Sequence, residues 1–318
     1  MRYRGLGDTG LQVSEIGFGA WGIGGTTGDA RAYGPTDDAV SARALKKAFD
    51  LGVTFYDTAA LYGYGHSEEL IGETLAPVRD RIVISTKVGY LDFSGKQDFS
   101  PAHIRRSLEQ SLRRLKTDYV DLFQLHDPAI ELLTPDGEVL STLRQLEQEG
   151  KIRVAGISTR SPKDSLTAVR ELGFKSVQVN FSLVDQRCIE LGIFDACRAA
   201  GAGIIARTPL CFGFLTGKYE NQSYAAGDHR NLWKPEQIAC WAKAYQLFAT
   251  QLAGEGALSH AQNALRYILS FAEVSTTIPG MLTEEHVLEN VPASDLGPFA
   301  PAELERFAAI YAENRFFV

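Results

Sequence analysis

The sequence VTFYDTAALYG at residues 53–63 decides the fold and chemistry predicted for the whole chain. Its first four residues are β-branched or aromatic, which is typical of a short buried strand. The strand ends on the carboxylate of Asp57, and the glycines at 63 and 65 indicate that Tyr62 lies on the following loop. Because an aspartate at a strand end is usually a turn or cap residue, this pair alone is weak evidence for a site.

Two later strands also end on ionisable side chains. The apolar run at residues 81–87 ends at Lys87, and the run at residues 118–126 ends at His126. If the three strands lie side by side, Asp57, Lys87 and His126, with Tyr62 nearby, form an acid–base group. Three such endings are much harder to ascribe to chance than one.

The composition restricts the class of protein. The chain has 318 residues, 45% of them hydrophobic, which is enough for one large α/β barrel or two ordinary domains. A net charge of −7 without a basic block argues against nucleic acid and anionic membrane surfaces as partners. No apolar run is long enough to span a bilayer, and the four cysteines and six histidines show no metal-site or disulfide spacing. We expect a cytoplasmic protein with no metal site.

Helices and strands alternate regularly along the chain. A β-hairpin is predicted at residues 3–13, and eight buried strands follow, at residues 16–19, 53–57, 81–87, 118–126, 154–158, 176–180, 203–206 and 275–279. The predicted helices cover residues 37–52, 67–76, 100–115, 134–146, 161–172, 188–200, 235–253 and 258–271, with further helices from 283 and 301. This alternation, without a linker, predicts one α/β domain over residues 1–318, a (β/α)8 TIM barrel with an N-terminal hairpin and extra C-terminal helices.

The barrel prediction also locates the site. Barrel enzymes carry their active sites at the carboxyl ends of the strands, where the polar residues Asp57, Lys87, His126, Ser158 and Asn180 fall. A Rossmann fold is the rival interpretation of GFGAWG at residues 17–22. That fold needs a helix directly after the glycines, and more glycines follow here instead.

The three strand-end residues Asp57, Lys87 and His126, together with Tyr62, suit carbonyl chemistry. A tyrosine can protonate a carbonyl oxygen, but its ordinary pKa of about 10 is far from neutral. We expect the Lys87 ammonium to lower the pKa of Tyr62, Asp57 to hold Lys87 charged, and His126 to donate a hydrogen bond to the same oxygen. Such a group supplies no hydride and therefore requires a redox cofactor.

In order and spacing, Asp57, Tyr62, Lys87 and His126 resemble the catalytic tetrad of the aldo-keto reductase family. Further similar segments span nearly the whole chain: GFGAW at 17–21, DTA at 57–59, GKIR at 150–153, Gln178 with Asn180, PL at 209–210, LTGK at 215–218, IPG at 278–280 and EN at 289–290. The resemblance implies a TIM barrel that uses NADP to interconvert the carbonyl and alcohol forms of a small molecule, with Tyr62 as general acid.

The resemblance also implies a cofactor site. Ser158 and Gln178 would hold the nicotinamide carboxamide, Thr208, Leu210 and residues 213–218 would follow the pyrophosphate, and Glu289 and Asn290 would reach the adenine. The full predicted set is Gly19, Trp21, Ser158, Thr159, Gln178, Arg207, Thr208, Pro209, Leu210, Gly213, Leu215, Gly217, Lys218, Gly280, His286, Glu289 and Asn290.

Three positions depart from the family pattern. The Ser-Asn pair is here Ser158-Thr159, and the tyrosine that often stacks on the nicotinamide is Arg207. Where many members carry cations for the 2′-phosphate, this chain has Gly280, Met281, Leu282 and His286. A phosphate without a fixed cation loses a charge-assisted contact, so the chain could use NADP or NAD.

Two other functions stay open at this point. One is a cofactor-sensing or scaffold protein of the same fold. The other is a redox-neutral enzyme that uses bound NAD(P) transiently, for which Thr159 and Arg207 leave room.

The loops at 22–34, 90–100, 127–133 and 211–232 are expected to select the substrate. Trp21 is predicted either as a pocket wall or as a cover over the barrel mouth, and residues 228–230 as a polar loop that could clasp the cofactor. The oligomeric state is not predicted.

Overall fold

Ten strands are present in the computed structural model, which describes residues 1–219, 223–249 and 258–318. Strands β1 and β2 pair antiparallel as the predicted hairpin, with Tyr3 opposite Ser14. The strands are β1 Tyr3–Gly5, β2 Gln12–Ser14, β3 Phe18–Gly19, β4 Phe55–Asp57, β5 Val83–Val88, β6 Val120–His126, β7 Ile152–Ser158, β8 Ser176–Asn180, β9 Gly203–Arg207 and β10 Val274–Thr277.

Helices follow most of these strands. In the described ranges they are α1 Asp38–Asp50, α2 His66–Leu75, α3 Pro101–Leu115, α4 Glu138–Gln148, α5 Asp164–Arg170, α6 Arg187–Glu190, α7 Ile193–Ala200, α8 Pro235–Ala249, α9 His260–Leu269, α10 Glu284–Asn290 and α11 Pro301–Glu313. None of the helices described is long and apolar enough to cross a membrane.

Strands β3 to β10 form a parallel sheet in sequence order, and the sheet closes on itself. The Gly17 amide donates to the Thr277 carbonyl at 2.8 Å, and the Gly19 amide donates to the Pro279 carbonyl at 3.0 Å. The first and last strands are therefore hydrogen-bonded neighbours. The predicted (β/α)8 barrel with an N-terminal hairpin and extra C-terminal helices is confirmed.

The hairpin covers the amino end of the barrel. Leu6, Leu11 and Val13 pack in one buried cluster with Phe55 and Val83, which begin β4 and β5. Burying these side chains removes apolar surface from water at that end. The carboxyl ends of the strands are left as the open end of the barrel.

Local sequence signals account for several helix starts. The Asp37 side chain accepts from the Val40 amide at 2.9 Å and caps α1, as predicted. Ser100 caps α3 directly before Pro101, which needs no amide hydrogen at the first helical position.

Two helix predictions are wrong in detail. Residues 134–137 form a turn closed by the Gly137 amide and the Thr134 carbonyl at 3.0 Å, so α4 begins at Glu138 rather than at 134. The helix predicted at 188–200 is interrupted by Gly192 at φ 67°, which an α-helix cannot include, and it divides into α6 and α7. The predicted end of α8 at residue 253 lies outside the described residues.

Candidate active site

Lys87 is a fully buried lysine whose ammonium contacts three oxygens. Its Nζ is ion-paired with Asp57 Oδ1, donates to the Thr58 carbonyl at 2.8 Å, and donates to the Tyr62 hydroxyl at 3.3 Å. Burial lowers the pKa of a lysine, but Asp57 and Tyr62 outweigh it here, and the pKa of Lys87 is raised. Lys87 therefore stays charged at neutral pH.

Asp57 is held from its other side by neutral donors. Its Oδ2 accepts from Ser85 Oγ at 2.9 Å, from Gln124 Nε2 at 3.2 Å and from Gln178 Nε2 at 2.8 Å. Ser85 and Gln124 each lie two residues before a predicted site residue, Lys87 or His126. Side chains two apart on a strand share a face, so this alternation could have identified both from the sequence.

Tyr62 lies on the loop after β4, at the start of a short 3-10 helix, Tyr62–Gly65. Gly63, at φ 59°, brings this loop against the Gly24 carbonyl, and a Cβ at Gly63 would lie 2.2 Å from that oxygen. The expectation of a lowered pKa for Tyr62 is wrong. Lys87 does lower it, but burial acts in the opposite direction more strongly, and the pKa of the Tyr62 phenol is raised.

His126 ends β6 beside the Tyr62 ring. The two rings meet edge to face with centroids 6.0 Å apart, and Tyr90 meets the other side of the imidazole at 4.9 Å. Burial lowers the pKa of His126 to about 3. The imidazole is thus neutral at pH 7 and can donate a hydrogen bond from only one ring nitrogen.

Arg207 sits at the end of β9 within a polar network. Its Nη1 lies 3.3 Å from Asp127 Oδ1 and donates to Ser158 Oγ at 3.2 Å, and its Nη2 donates to the Thr159 carbonyl at 2.9 Å. Its Nε is buried without a partner in the described part of the chain. The Thr159 hydroxyl pairs with Ser165 Oγ at 2.8 Å.

These groups surround a cavity of about 640 Å³ at the carboxyl end of the barrel, a size common for ligand and cofactor sites. Many of the predicted site residues line it: Gly19, Trp21, Asp57, Tyr62, His126, Gln178, Arg207, Thr208, Pro209, Leu210, Gly213, Lys218, Gly280, His286, Glu289 and Asn290. Five predicted residues do not: Lys87, Ser158, Thr159, Leu215 and Gly217. Lys87 lies directly behind Tyr62 and Asp57, whereas Leu215 is buried in the core.

The end of the cavity formed by α10 carries the residues that the resemblance assigns to the pyrophosphate and adenine. Lys218 Nζ lies 2.8 Å from Glu289 Oε2, so these two predicted contacts pair with each other. His286 Nδ1 accepts from the Leu282 amide at 3.3 Å, and burial, with Lys218 nearby, lowers the pKa of His286. His286 is therefore a neutral ring rather than a fixed cation.

Five aromatic side chains that the sequence analysis did not name individually also line the cavity: Tyr33, Tyr90, Phe93, Phe212 and Tyr219. Trp21 lines it as well, with its ring 6.2 Å from that of Tyr62, as expected for a pocket wall.

Residues 228–230, predicted as a polar loop segment, have buried side chains, and we call this segment the clasp. It pairs with residue 32 through a β-bridge, and two of its side chains, His229 and Arg230, line the cavity. Across the ranges that the structure describes, no group of three or more metal-ligating side chains is arranged to hold a metal ion.

Comparison with known proteins agrees with this geometry. The model of the Aldo/keto reductase family matches residues 15–312. Aldo-keto reductase YhdN of Bacillus subtilis (strain 168) is 35% identical over 239 residues, 73% of this chain and 69% of that protein. The L-glyceraldehyde 3-phosphate reductase of Escherichia coli (strain K12) is 32% identical over 96% of this chain and 90% of its own. The holo form of aldo-keto reductase AKR11C1 from Bacillus halodurans matches with a TM-score of 0.78 at 29% identity, covering 98% of this chain and 96% of that one.

Proposed function

The chain belongs to the aldo-keto reductase family of NAD(P)-dependent oxidoreductases, and we propose that it interconverts an aldehyde, ketone or sugar carbonyl and the alcohol, with Tyr62 as general acid and base. One observation carries the proposal. The Lys87 ammonium contacts both Asp57 and Tyr62, and Tyr62 and His126 line one cavity. An acid, the group that tunes it and a second donor are thereby available to one carbonyl oxygen.

In this proposal each residue has a distinct task. Tyr62 donates its phenolic proton to the carbonyl oxygen, and the nearby Lys87 ammonium stabilises the phenolate that results. Asp57 keeps Lys87 charged and oriented. Neutral His126 donates an N–H to the same oxygen and so helps to position the substrate. When it is bound, the nicotinamide cofactor supplies the hydride.

The cavity suits a nicotinamide dinucleotide. Gln178 donates its amide hydrogen to Asp57, and its Oε1 has only a long contact, 3.5 Å, with Ser158 Oγ, so this oxygen can accept from a carboxamide. Arg207 lines the same cavity, and its guanidinium donates to Ser158 Oγ beside Gln178. We propose that Gln178 and Arg207 contact the nicotinamide end, with Ser158 behind them orienting both through its hydroxyl, and that Thr208, Gly213, Lys218, Glu289 and Asn290 hold the remainder.

We propose NADP as the cofactor. We propose that NAD is also accepted, because residues 280–286 contribute only neutral groups to the cavity wall. A fixed cation there would add a charge-assisted contact to the 2′-phosphate that NADH lacks. We further propose that residues 1–318 fold as one domain. The cytoplasmic location expected from the sequence stays a prediction.

Fluorescence titration of the purified protein with NADPH and with NADH tests the cofactor, and loss of reduced-nicotinamide absorbance with a panel of aldehydes and ketones tests turnover. We expect both cofactors to bind, with affinities within about tenfold of each other, and carbonyl-dependent oxidation of at least one. If neither binds, the proposal is wrong. Binding without turnover of any carbonyl would favour a sensing protein, and turnover without net cofactor oxidation would favour a redox-neutral enzyme.

A further inference from the structure

Asp127 is a charged residue directly after His126 that the proposed reaction does not use. It lines the cavity, and 15% of its side chain is exposed. Its Oδ1 lies 3.3 Å from Arg207 Nη1 and accepts from Ser158 Oγ at 3.4 Å. Burial acts to raise the pKa of Asp127, but the charges around it, Arg207 first among them, act more strongly and lower the pKa. Asp127 is therefore an ionised carboxylate at pH 7.

The backbone of Asp127 is held independently of its carboxylate. Its φ of 51° is a left-handed conformation that aspartate and asparagine adopt more readily than most residues with a side chain. Its amide donates to the Ser158 carbonyl at 2.8 Å, and its carbonyl accepts from Gln97 Nε2 at 3.1 Å. Since neither hydrogen bond involves the carboxylate, we expect Asp127→Asn to keep this backbone and remove only the charge.

The charges at this end of the cavity balance in pairs. Lys87 is paired with Asp57, and Arg207 is paired with Asp127. Arg160 lies close as well and donates to the Asp127 carbonyl at 3.3 Å, but its side chain is exposed, so that water and salt screen its charge. Each of the two pairs has no net charge, and removing one partner leaves the other partner's charge at the cavity wall.

The two redox forms of a nicotinamide cofactor differ by one charge at the ring, which is a cation when oxidised and neutral when reduced. In the proposed function Arg207 contacts the nicotinamide end, so a guanidinium faces the group whose charge changes. Two like unit charges a few ångströms apart in a partly buried site repel each other enough to weaken binding by about tenfold or more. The neutral ring of the reduced cofactor is not repelled in this way. A balancing carboxylate beside Arg207 therefore matters mainly for the oxidised form.

We propose that Asp127 is the counter-charge of Arg207, through which the site accepts the oxidised cofactor as well as the reduced one and so supports both directions of the reaction. This inference rests on the proposed function and adds to it a positioning residue that acts on the cofactor through Arg207. The charge of Asp127, rather than its shape, sets the relative affinity for the two redox forms. Asparagine at this position has the same shape without the charge and separates the two contributions.

The test measures the affinities of the purified full chain for NADP⁺ and NADPH by fluorescence titration and follows the ratio of the two Kd values, NADP⁺ over NADPH. Asp127→Asn leaves the Arg207 charge unbalanced and should raise this ratio about tenfold, mainly by weakening NADP⁺. Arg207→Gln leaves the Asp127 carboxylate instead and should lower the ratio about tenfold. The double variant again has no net charge and should show a ratio within about threefold of that of the unaltered protein.

Asp92→Asn is the matched control for the loss of a negative charge. Asp92 lines the same cavity, but its carboxylate accepts from the Ser94 amide at 2.7 Å rather than from a guanidinium. Its substitution removes the same unit of charge outside the Arg207 pair. We expect the ratio of the two Kd values to change less than about twofold.

The outcomes separate this inference from the proposed function. If Asp127→Asn weakens both redox forms equally, Asp127 has a structural role only, and the inference is wrong while the reductase proposal stands. An equally large change of the ratio in Asp92→Asn would ascribe the effect to the overall charge of the cavity and overturn the inference as well. If Asp127→Asn does not fold, Arg207→Gln decides, and an unchanged ratio there overturns the inference. If the unaltered protein binds neither redox form, both this inference and the proposed function are wrong.

Discussion

Replacement of Lys87 by Met tests the buried ion pair on which the site depends. The substitution leaves the Asp57 carboxylate, which is 2% exposed, without the ammonium that now contacts Oδ1. Breaking a buried pair from one side costs about 3–5 kcal/mol, because a charge stays buried and uncompensated. Three neutral donors still reach Oδ2, so we expect about 3 kcal/mol less free energy of unfolding for Lys87→Met, the lower end of that range.

A double-mutant cycle measured by urea unfolding isolates the pair. We expect Asp57→Asn to cost about as much as Lys87→Met and the double variant to cost little more than either, a coupling of about 3 kcal/mol. The matched control is Lys46 with Asp50, an i,i+4 pair at 3.0 Å whose side chains are 70% and 49% exposed. Its coupling should be below about 0.5 kcal/mol. Additive costs at Lys87 and Asp57 would refute the reasoning.

Three further predictions use other features of the site. The pKa of His126 is lowered to about 3, so below about pH 6.5 the unfolded chain binds a proton at this residue that the folded chain does not, and the folded state loses stability as the pH decreases. Between pH 7 and pH 5, the free energy of unfolding measured with urea should therefore decrease by about 2 kcal/mol less in His126→Gln than in the unaltered protein. An equal decrease in both proteins would contradict the burial of this ring. Leu282→Arg should raise the affinity for NADPH relative to NADH about tenfold by adding a charge-assisted contact, with Leu282→Gln as the neutral control in the same titration; an unchanged ratio would place the 2′-phosphate elsewhere. Gly63→Ala adds a Cβ 2.2 Å from the Gly24 carbonyl oxygen; this should displace Tyr62 and lower kcat at least about tenfold. The control is Gly10→Ala, at φ 79° with nothing within 4 Å of the added Cβ. It should lower the free energy of unfolding by about 1 kcal/mol and leave kcat unchanged.

The clustering of Asp57, Lys87 and His126 could be predicted because these three residues belong to the regular part of the fold. Asp57 and His126 end their strands and Lys87 lies one residue before the end of its own, so strand boundaries and the parallel order were enough to bring them together. Ser85 and Gln124 were missed although the two-residue period of a strand places them on the faces of Lys87 and His126. Nothing beyond the strand pattern was needed to find them.

The contacts of the clasp could not be predicted, because its partners are remote in the sequence. Its bridge joins Asp228 to Ala32, and no local periodicity reports a contact between two long loops. The sequence identified residues 228–230 as a polar loop segment but gave no sign of their burial, which paired charges and aromatic rings produce for all three side chains.

The predicted direction of the pKa shift of Tyr62 was wrong for a related reason. The sequence identified Lys87 as a neighbouring cation, which lowers the pKa of a phenol. It did not report how completely the ring is removed from water, and burial is the larger effect. The sign of a shift with opposing causes requires the packing of the folded chain.

Tyr62→Phe provides the most direct test of the central claim, that Tyr62 is the proton donor to a carbonyl. The substitution removes only the hydroxyl, which lies 3.3 Å from Lys87 Nζ, and keeps the ring against Trp21 and His126. The measurement is the rate of carbonyl-dependent cofactor oxidation beside the affinity for that cofactor. We predict a rate lowered at least about 100-fold, the lower range for loss of a general acid, with cofactor affinity within about threefold of the unaltered protein. A rate within about tenfold of the unaltered protein would contradict the account.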